Sequence, residues 1–421
     1  MLLCRARPLL AMLVLAMFAS FIPNCAQAAL TRPNALDRRV DAIPASALLH
    51  QPATMLVDPD RQGAAERLAR WTLPGWLLSV LAQAALLAYF WRSGHAARLR
   101  DALQRRLGSA WAVRFAFGAA LALLAKLASA IPDFYLYRID RVMGITSELA
   151  HTWALAWCTD TLMSMLAVGV LIAVVLWLVD RTHQWYIYTA LGVVVISVLV
   201  AYLAPYMRSL GSDRSEPVRG ALAMRLQRLE KRAGASLPIY IETGSNRSQV
   251  ESALVEGLGN SVRLVLSDTL LAGEAPNEVD FAVAYELGFA QAHDPLRRSL
   301  YDALLIILGI ALAVFVADRI GFRRDDNELS RMALVGALLS ATYLVVVPID
   351  HAILSNMTIG ADRFAISLTH DRAAAVRALV RHTDQGLVQV CPNILTRMFL
   401  ERTPPIGARI AAINGVPNDC P

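Results

Sequence analysis

The sequence predicts a polytopic α-helical membrane protein that carries an inserted α+β domain and a helical C-terminal part. Three observations carry this. Of 421 residues, 56% are hydrophobic, above the share of ordinary soluble domains. Runs of about 20 apolar residues, the length that crosses a bilayer as helix, recur six times after the N-terminal one. They lie near 72–91, 112–131, 154–179, 185–205, 302–317 and 332–349. Between the fourth and fifth sits a longer polar stretch, 207–300, whose pattern switches between helical and strand periods.

Residues 1–28 read as a signal peptide. Arg5 and Arg7 form its basic end, "PLLAMLVLAMFASFI" its apolar core, and "AQA" at 26–28 offers small residues for cleavage after Ala28. An uncleaved first helix is the other reading. Residues 29–70, rich in Pro, Asp and Arg, read as a poorly ordered extramembrane linker or an amphipathic approach to the membrane. Four spans fill 71–206. The loop after the first carries Arg92, Arg98, Arg100, Arg105 and Arg106 against Asp101 alone, which places it in the cytoplasm.

Counting crossings then makes 132–153 a periplasmic loop and 180–183 a tight cytoplasmic turn. The insert 207–300 comes out periplasmic, 301–349 is a second hairpin, and the helical tail 350–421 is periplasmic again. A bacterial-type inner membrane is the implied location, and the lipid bilayer the first partner. The loop 318–331 adds little, since its four Arg are matched by four acids. Asp160 falls inside the third span. An acid there either faces a water-filled chamber or touches a loop near the membrane surface.

The net charge of +6 is carried almost wholly by Arg, as loop orientation requires. No basic stretch is interleaved with aromatics, so nucleic acid is not an expected partner. Of the five cysteines, Cys4 and Cys25 leave with the signal and Cys158 lies in a span. Cys391 and Cys420 remain in soluble sequence. They can pair in an oxidising compartment, and two unrelated thiols fit the sequence as well.

Within the insert, "SEPVRGALAMRLQRLEKRAGA" reads as an amphipathic helix with Leu222, Leu226 and Leu229 on one face and Gly234 as its stop. "PIYIET" and "VRLVLS" alternate like strands, and "DTLLAG" is a short helix from Asp268. "PNEVDFAVAYELGFAQAHD" predicts a buried helix. Asn277 is its expected N-cap, and Asp280 completes a capping box. Phe281, Tyr285 and Phe289 recur at i, i+4 and i+8, an aromatic stripe suited to a core.

The order of "GSNRS", "EGLGNSVRLVLSDTLL" and "YELGF" resembles the type I CAAX prenyl proteases, membrane-embedded zinc endopeptidases with a HELGH helix. Further blocks agree in order and spacing. "IPDFYLYRIDRVMGIT" at 131–146 is similar to the family's second-hairpin loop. "ADRFA" at 361–365 is similar to the block after its third zinc ligand, and "TPPIGARIAAI" at 403–413 to its HPPxxxRIxxI tail. The resemblance implies a metallopeptidase-like insert built from a small sheet and the YELGF helix.

It also implies a chemistry. Two His at i and i+4 and a distal Glu hold zinc, and the Glu after the first His acts as general base on the metal-bound water. Carried over residue by residue, the ligand positions hold Tyr285, Phe289 and Thr358. Only the general-base position, Glu286, survives. Ser355 stands where the family has Arg. Thr403 replaces the His before the proline pair, and Ser252 the substrate-lining Asn. With Arg409, those two are the degenerate substrate-binding positions. Gly244, Gly257, Gly259, Asp268, Asp362, Pro404, Pro405 and Arg409 survive as scaffold.

His293, His351, His370 and His382 are scattered, and no pair has i, i+4 spacing. The expected cofactor is therefore none, and Glu286 is an acid held by hydrogen bonds or partial solvation. Whether the chain is an enzyme stays open at this point. One reading is an inactive relative that binds a peptide or lipidated protein. A second is an active metalloendopeptidase with an atypical site and zinc. A third is a membrane assembly component without a ligand chamber.

Overall fold

The structure is a computed structural model that describes residues 38–211, 215–243, 253–321, 327–418 and 420. The signal-peptide segment 1–28, the GSNRS block and Ser252 lie outside the described residues. After a helical turn at 38–41, α1 (Ala45–His50) and α2 (Ala53–Leu56) lead into α3 (Pro59–Arg92), the first span. The start of α3 is fixed by Pro59 at its first position and by the Asp58 carboxylate, which accepts from the backbone N–H groups of Asp60 and Arg61. Next come α4 (His95–Arg106), α5 (Ala110–Val142), α6 (Ala150–Arg181) and α7 (Trp185–Gly211).

The insert follows as β1 (Ser215–Pro217), α8 (Gly220–Ala233), β2 (Ile239–Glu242), β3 (Ala253–Glu256), β4 (Arg263–Ser267), α9 (Asp268–Gly273) and α10 (Pro276–Gln291). The chain re-enters the bundle as α11 (Asp294–Ile320) and α12 (Glu328–Thr369). It ends with α13 (Arg372–Gly386), α14 (Ile394–Phe399) and α15 (Ile406–Asn414). Among the described residues six helices are long and apolar enough to cross a membrane, namely α3, α5, α6, α7, α11 and α12. They match the six apolar runs of the sequence.

Several spans outlast their apolar runs. Helix α12 has 42 residues, about 63 Å at 1.5 Å per residue, roughly twice a hydrocarbon core. It therefore carries Thr358 and Asp362 on the continuation of the last span, not in the separate unit expected from 350 onwards. Likewise α5 runs to Val142 and α6 begins at Ala150, so most of the expected loop 132–153 is helix. Asp160 faces neither a chamber nor a loop: its carboxylate is exposed on the outside of α6 and pairs with Lys126 of α5.

The four strands order as β1-β2-β4-β3, with β2 and β4 parallel and both outer pairs antiparallel. Leu264 and Leu266 alternate into the core and are fully buried. Gly257, at φ +92°, turns β3 towards β4 where an added Cβ would lie 2.3 Å from the Ser261 carbonyl oxygen. Only glycine fits there. Helix α10 starts at Pro276 with Ala275 as its cap, not Asn277. The Asn277 amide instead donates to Asp371 at 3.1 Å.

The reading of 29–70 as a linker is corrected for its described part. Val40, Leu48, Leu56 and Val57 are buried in one core with Leu264, Leu287, Val380 and Ile410. Polar straps lock them there. Arg381 donates to Asp41 at 2.6 Å, Arg39 to Asp384 at 3.0 Å, and Asn414 to the Leu48 carbonyl at 2.9 Å. The apolar residues of this segment are too sparse to show a period, and their partners lie more than 200 residues away. Because this segment, the insert and the C-terminal helices share a core, all three lie on one side of the bundle. Four spans and then two separate them, which is the even count that placement requires.

Cys391 and Cys420 form a disulfide, with Cα atoms 5.1 Å apart and a sequence separation of 29. Replacing both by Ser should cost about 2–4 kcal/mol, since the bridge restricts the unfolded chain. Denaturant melts of the variant against the oxidised protein read this directly.

Candidate functional site

Helix α10 carries the YELGF motif and packs between the sheet, α12 and α13. It meets α12 backbone to backbone at Gly288, where an added Cβ would lie 3.0 Å from Ala361 Cα and 3.2 Å from Phe364 Cβ. That approach aligns position 285 with position 358. The Tyr285 hydroxyl lies 3.3 Å from Thr358 Oγ1, and Thr358 is fully buried. Phe289 packs edge-on against Tyr285 with ring centroids 5.1 Å apart, and Phe281 continues the stripe at 6.5 Å. Tyr285 thus fills the seam between α10 and α12, with the Phe281 and Phe289 rings on either side of it.

Below it, Arg409 of α15 clasps Asp362 of α12 through two parallel bonds of 2.8 and 2.7 Å. Its guanidinium carbon stands 5.2 Å from the Tyr285 ring centroid, within cation–π range. Burial alone would lower the pKa of Arg409, but the Asp362 carboxylate outweighs it and raises it. Burial, and then the Arg409 charge, push His382 of α13 down to about 4, so its imidazole is neutral at pH 7. Burial pushes the Tyr285 phenol up to about 12, with Arg409 opposing.

Glu286 is buried and accepts a 2.7 Å bond from the backbone N–H of Val255 on the edge strand β3. It ties helix to sheet. Burial pushes its carboxyl up to about 8, with the Val255 bond opposing. A folded-state pKa above the unfolded one favours the fold while the group is protonated, and that favour is lost as pH rises through about 8. Glu286→Gln, which keeps the acceptor, should therefore gain stability over the parent as pH climbs from 5 to 8.5. Melting both proteins across that range tests it. A constant difference would mean that Glu286 does not titrate there.

The structure thus unites Tyr285, Phe289, Thr358, Asp362 and Arg409. Arg409 is engaged by Asp362. Thr403 stands half-buried before Pro404 and Pro405 and forms no hydrogen bond with a described residue. The sequence showed His382 as one of several scattered histidines, without its place near Arg409. Its only signal was a lone imidazole between Arg381 and Thr383, which resembles any other histidine.

The donor set can be held against the zinc that the resemblance implies. Among the described residues, no three of His, Cys, Asp and Glu gather closely enough to hold a metal. A phenol that keeps its proton to about 12, an alcohol and a phenyl ring are poor ligands for Zn²⁺, which takes imidazole, thiolate or carboxylate. The residues present do not fit the ion.

A cavity of about 490 Å³ lies within the bundle, and every span contributes to it: Leu87, Leu121, Val168, Trp185, Val314 and Leu339 are among its walls. Its nearest α12 residue to the site, Ser340, is 18 positions from Thr358, about 27 Å along the helix.

The profile of peptidase family M48 matches residues 218–416. The profile of the CAAX prenyl protease N-terminal region, described as five membrane helices, matches residues 66–208. Between them they span the bundle, the insert and the C-terminal helices. The chain belongs to the CAAX prenyl protease group of the M48 peptidases. In this M48 chain residues 66–208 form α3 to α7, four of which are candidate spans. The uncharacterized metalloprotease YhfN of Bacillus subtilis (strain 168) is 25% identical over 306 residues, covering 69% of this chain and 70% of that one. The crystal structure of S. mikatae Ste24p superposes with a TM-score of 0.72 at 18% identity, covering 92% of this chain and 97% of that one. The last likeness is one of fold.

Proposed function

We propose that this M48 chain is a catalytically silent member that holds a membrane-associated peptide or lipidated protein without cutting it. The observation that carries the reading is the Tyr285–Thr358 contact at 3.3 Å. It closes the seam where the family's ligands would converge, and it turns two ligand positions into packing. Glu286 supports it, being spent on Val255 of β3. The apolar cavity shared by all six spans supports retention of a chain-binding body over an assembly component with no chamber. Its volume falls within the usual range for ligand pockets.

The reading includes an orientation. The domain side faces an oxidising compartment, the periplasm of a bacterial-type inner membrane. The Cys391–Cys420 bridge supports this, as does the Arg-rich α4 at the opposite end of the bundle. A cysteine introduced at exposed Arg228 should label from outside intact cells.

Metal analysis of the purified chain tests the central claim. Zinc well below one per chain, with no chelator-sensitive cleavage of lipidated or unfolded substrates, is the expected result. The M48 membership and the YhfN name favour an active metalloendopeptidase as the second reading. Near-stoichiometric zinc, together with cleavage abolished by Glu286→Gln, would establish that reading instead.

A further inference from the structure

A second cavity, of about 780 Å³, lies where the start of α3 meets the loop before α14. It is independent of the YELGF site and of the reading given to it. Its walls include Gln62, Glu66, Arg70 and Leu73 of α3, with Gln389 and Asn393 opposite. Its depth relative to the bilayer can be read from its rim. Helix α14 exposes Ile394 (72%) and Leu395 (53%). Its Phe399 ring lies 5.6 Å from Trp76 of α3, which lies 6.0 Å from Tyr343 of α12. Exposed aliphatic side chains beside Trp and Tyr at the ends of spans mark the bilayer–water interface. Leu73 and Pro74 begin the apolar part of α3, and Arg70 and Glu66 stand one and two turns above it.

The polar walls divide into spent and unspent groups. The Gln62 amide is used on the Val388 carbonyl and the Val390 N–H, and the Asn393 side chain caps α14. Glu66 and Arg70 are exposed and form no ion pair or hydrogen bond with a described residue, although they are one turn apart. Gln389 is 8% exposed, and its Oε1 has no partner among the described residues. The cavity thus offers one cation and one anion about 5–6 Å apart on a helix face, beside a buried amide.

We propose that this cavity binds the headgroup of a zwitterionic aminophospholipid, with its phosphate on Arg70, its ammonium on Glu66 and its acyl chains leaving over Leu73 and Ile394. A singly anionic headgroup with no amine satisfies Arg70 and leaves Glu66 facing a negative charge. The site therefore discriminates by the amine. Neither group lies in the seam of α10 and α12, so the site acts whatever the catalytic state of the chain.

The test is native mass spectrometry of the full chain released from detergent, titrated with phosphatidylethanolamine and phosphatidylglycerol of matched acyl chains. Phosphatidylethanolamine should be retained about tenfold more strongly, the value of one charge-assisted contact. Arg70→Gln should remove that retention, and Glu66→Lys should invert the preference. Both positions are exposed, so unchanged melting temperatures certify the fold. Arg106→Gln, at the other end of the bundle, should change nothing. Equal retention of the two lipids, insensitive to both substitutions, overturns the proposal. A photo-crosslinker placed at Leu73 gives a second readout. Capture of phospholipid supports the site, and capture of polypeptide overturns it.

Discussion

The triple substitution Tyr285→His, Phe289→His and Thr358→Glu is expected to give a chain that holds about one zinc ion, where the parent is expected to hold well below one. Positions 285 and 289 share a face of α10 at the i, i+4 spacing that suits two imidazole ligands. Position 358 already meets 285 across the seam, at 3.3 Å between side-chain oxygens. Several ligands acting together give zinc apparent binding free energies of about 10–16 kcal/mol in four-ligand structural sites, and three protein ligands suffice in catalytic ones. The cost is local. In chelator, the variant loses the aromatic packing of Tyr285 with Phe289 and buries three polar groups without partners, so it should melt below the parent. Added zinc should then raise its melting temperature, by about 4 kcal/mol of stability at a thousandfold excess over Kd, while the parent stays insensitive. A folded variant that takes up no metal would mean that α10 and α12 have moved apart from the ligand geometry of the family.

What the sequence made legible follows from the range of the forces concerned. The six spans were readable because crossing a bilayer demands an uninterrupted apolar run, a local property. Strands β2 and β4, helix α8 with its Gly234 stop, and the short α9 from Asp268 also announced themselves through local period and capping. Strands β1 and β3 did not. The three residues of β1, Ser-Glu-Pro, and the run Ala-Leu-Val-Glu of β3 show no alternation of apolar and polar side chains. The segment from Val40 to Val57 was misread because its burial depends on α13 and α15, far along the chain. The same limit hid the clasp between Asp362 and Arg409. Each residue was visible in its own block, but nothing in either block states that the two meet. At the site, the resemblance named Tyr285, Phe289 and Thr358. The structure added that they touch, that Glu286 faces Val255, and that a neutral His382 lies against Arg409.

Breaking the Asp362–Arg409 clasp should be among the most damaging single changes available in this chain. Both side chains are under 10% exposed and share two hydrogen bonds. Asp362→Ala leaves a guanidinium buried beneath the Tyr285 ring with no counter-ion, and so costs about 3–5 kcal/mol. Arg409→Met leaves the carboxylate stranded instead and should cost a similar amount. The double variant removes both charges, and an apolar pair of similar volume is often tolerated. Its loss should therefore fall well short of the sum of the two, giving a coupling energy of about 0.5–3 kcal/mol between them. Denaturant unfolding of the three variants yields the cycle. The same cycle bears on what Arg409 does. A residue kept to contact substrate would weaken binding on substitution while leaving stability near that of the parent. A residue kept to join the last span to the C-terminal helix lowers stability in proportion to its coupling with Asp362. The bidentate geometry and the burial of Arg409 favour the second class.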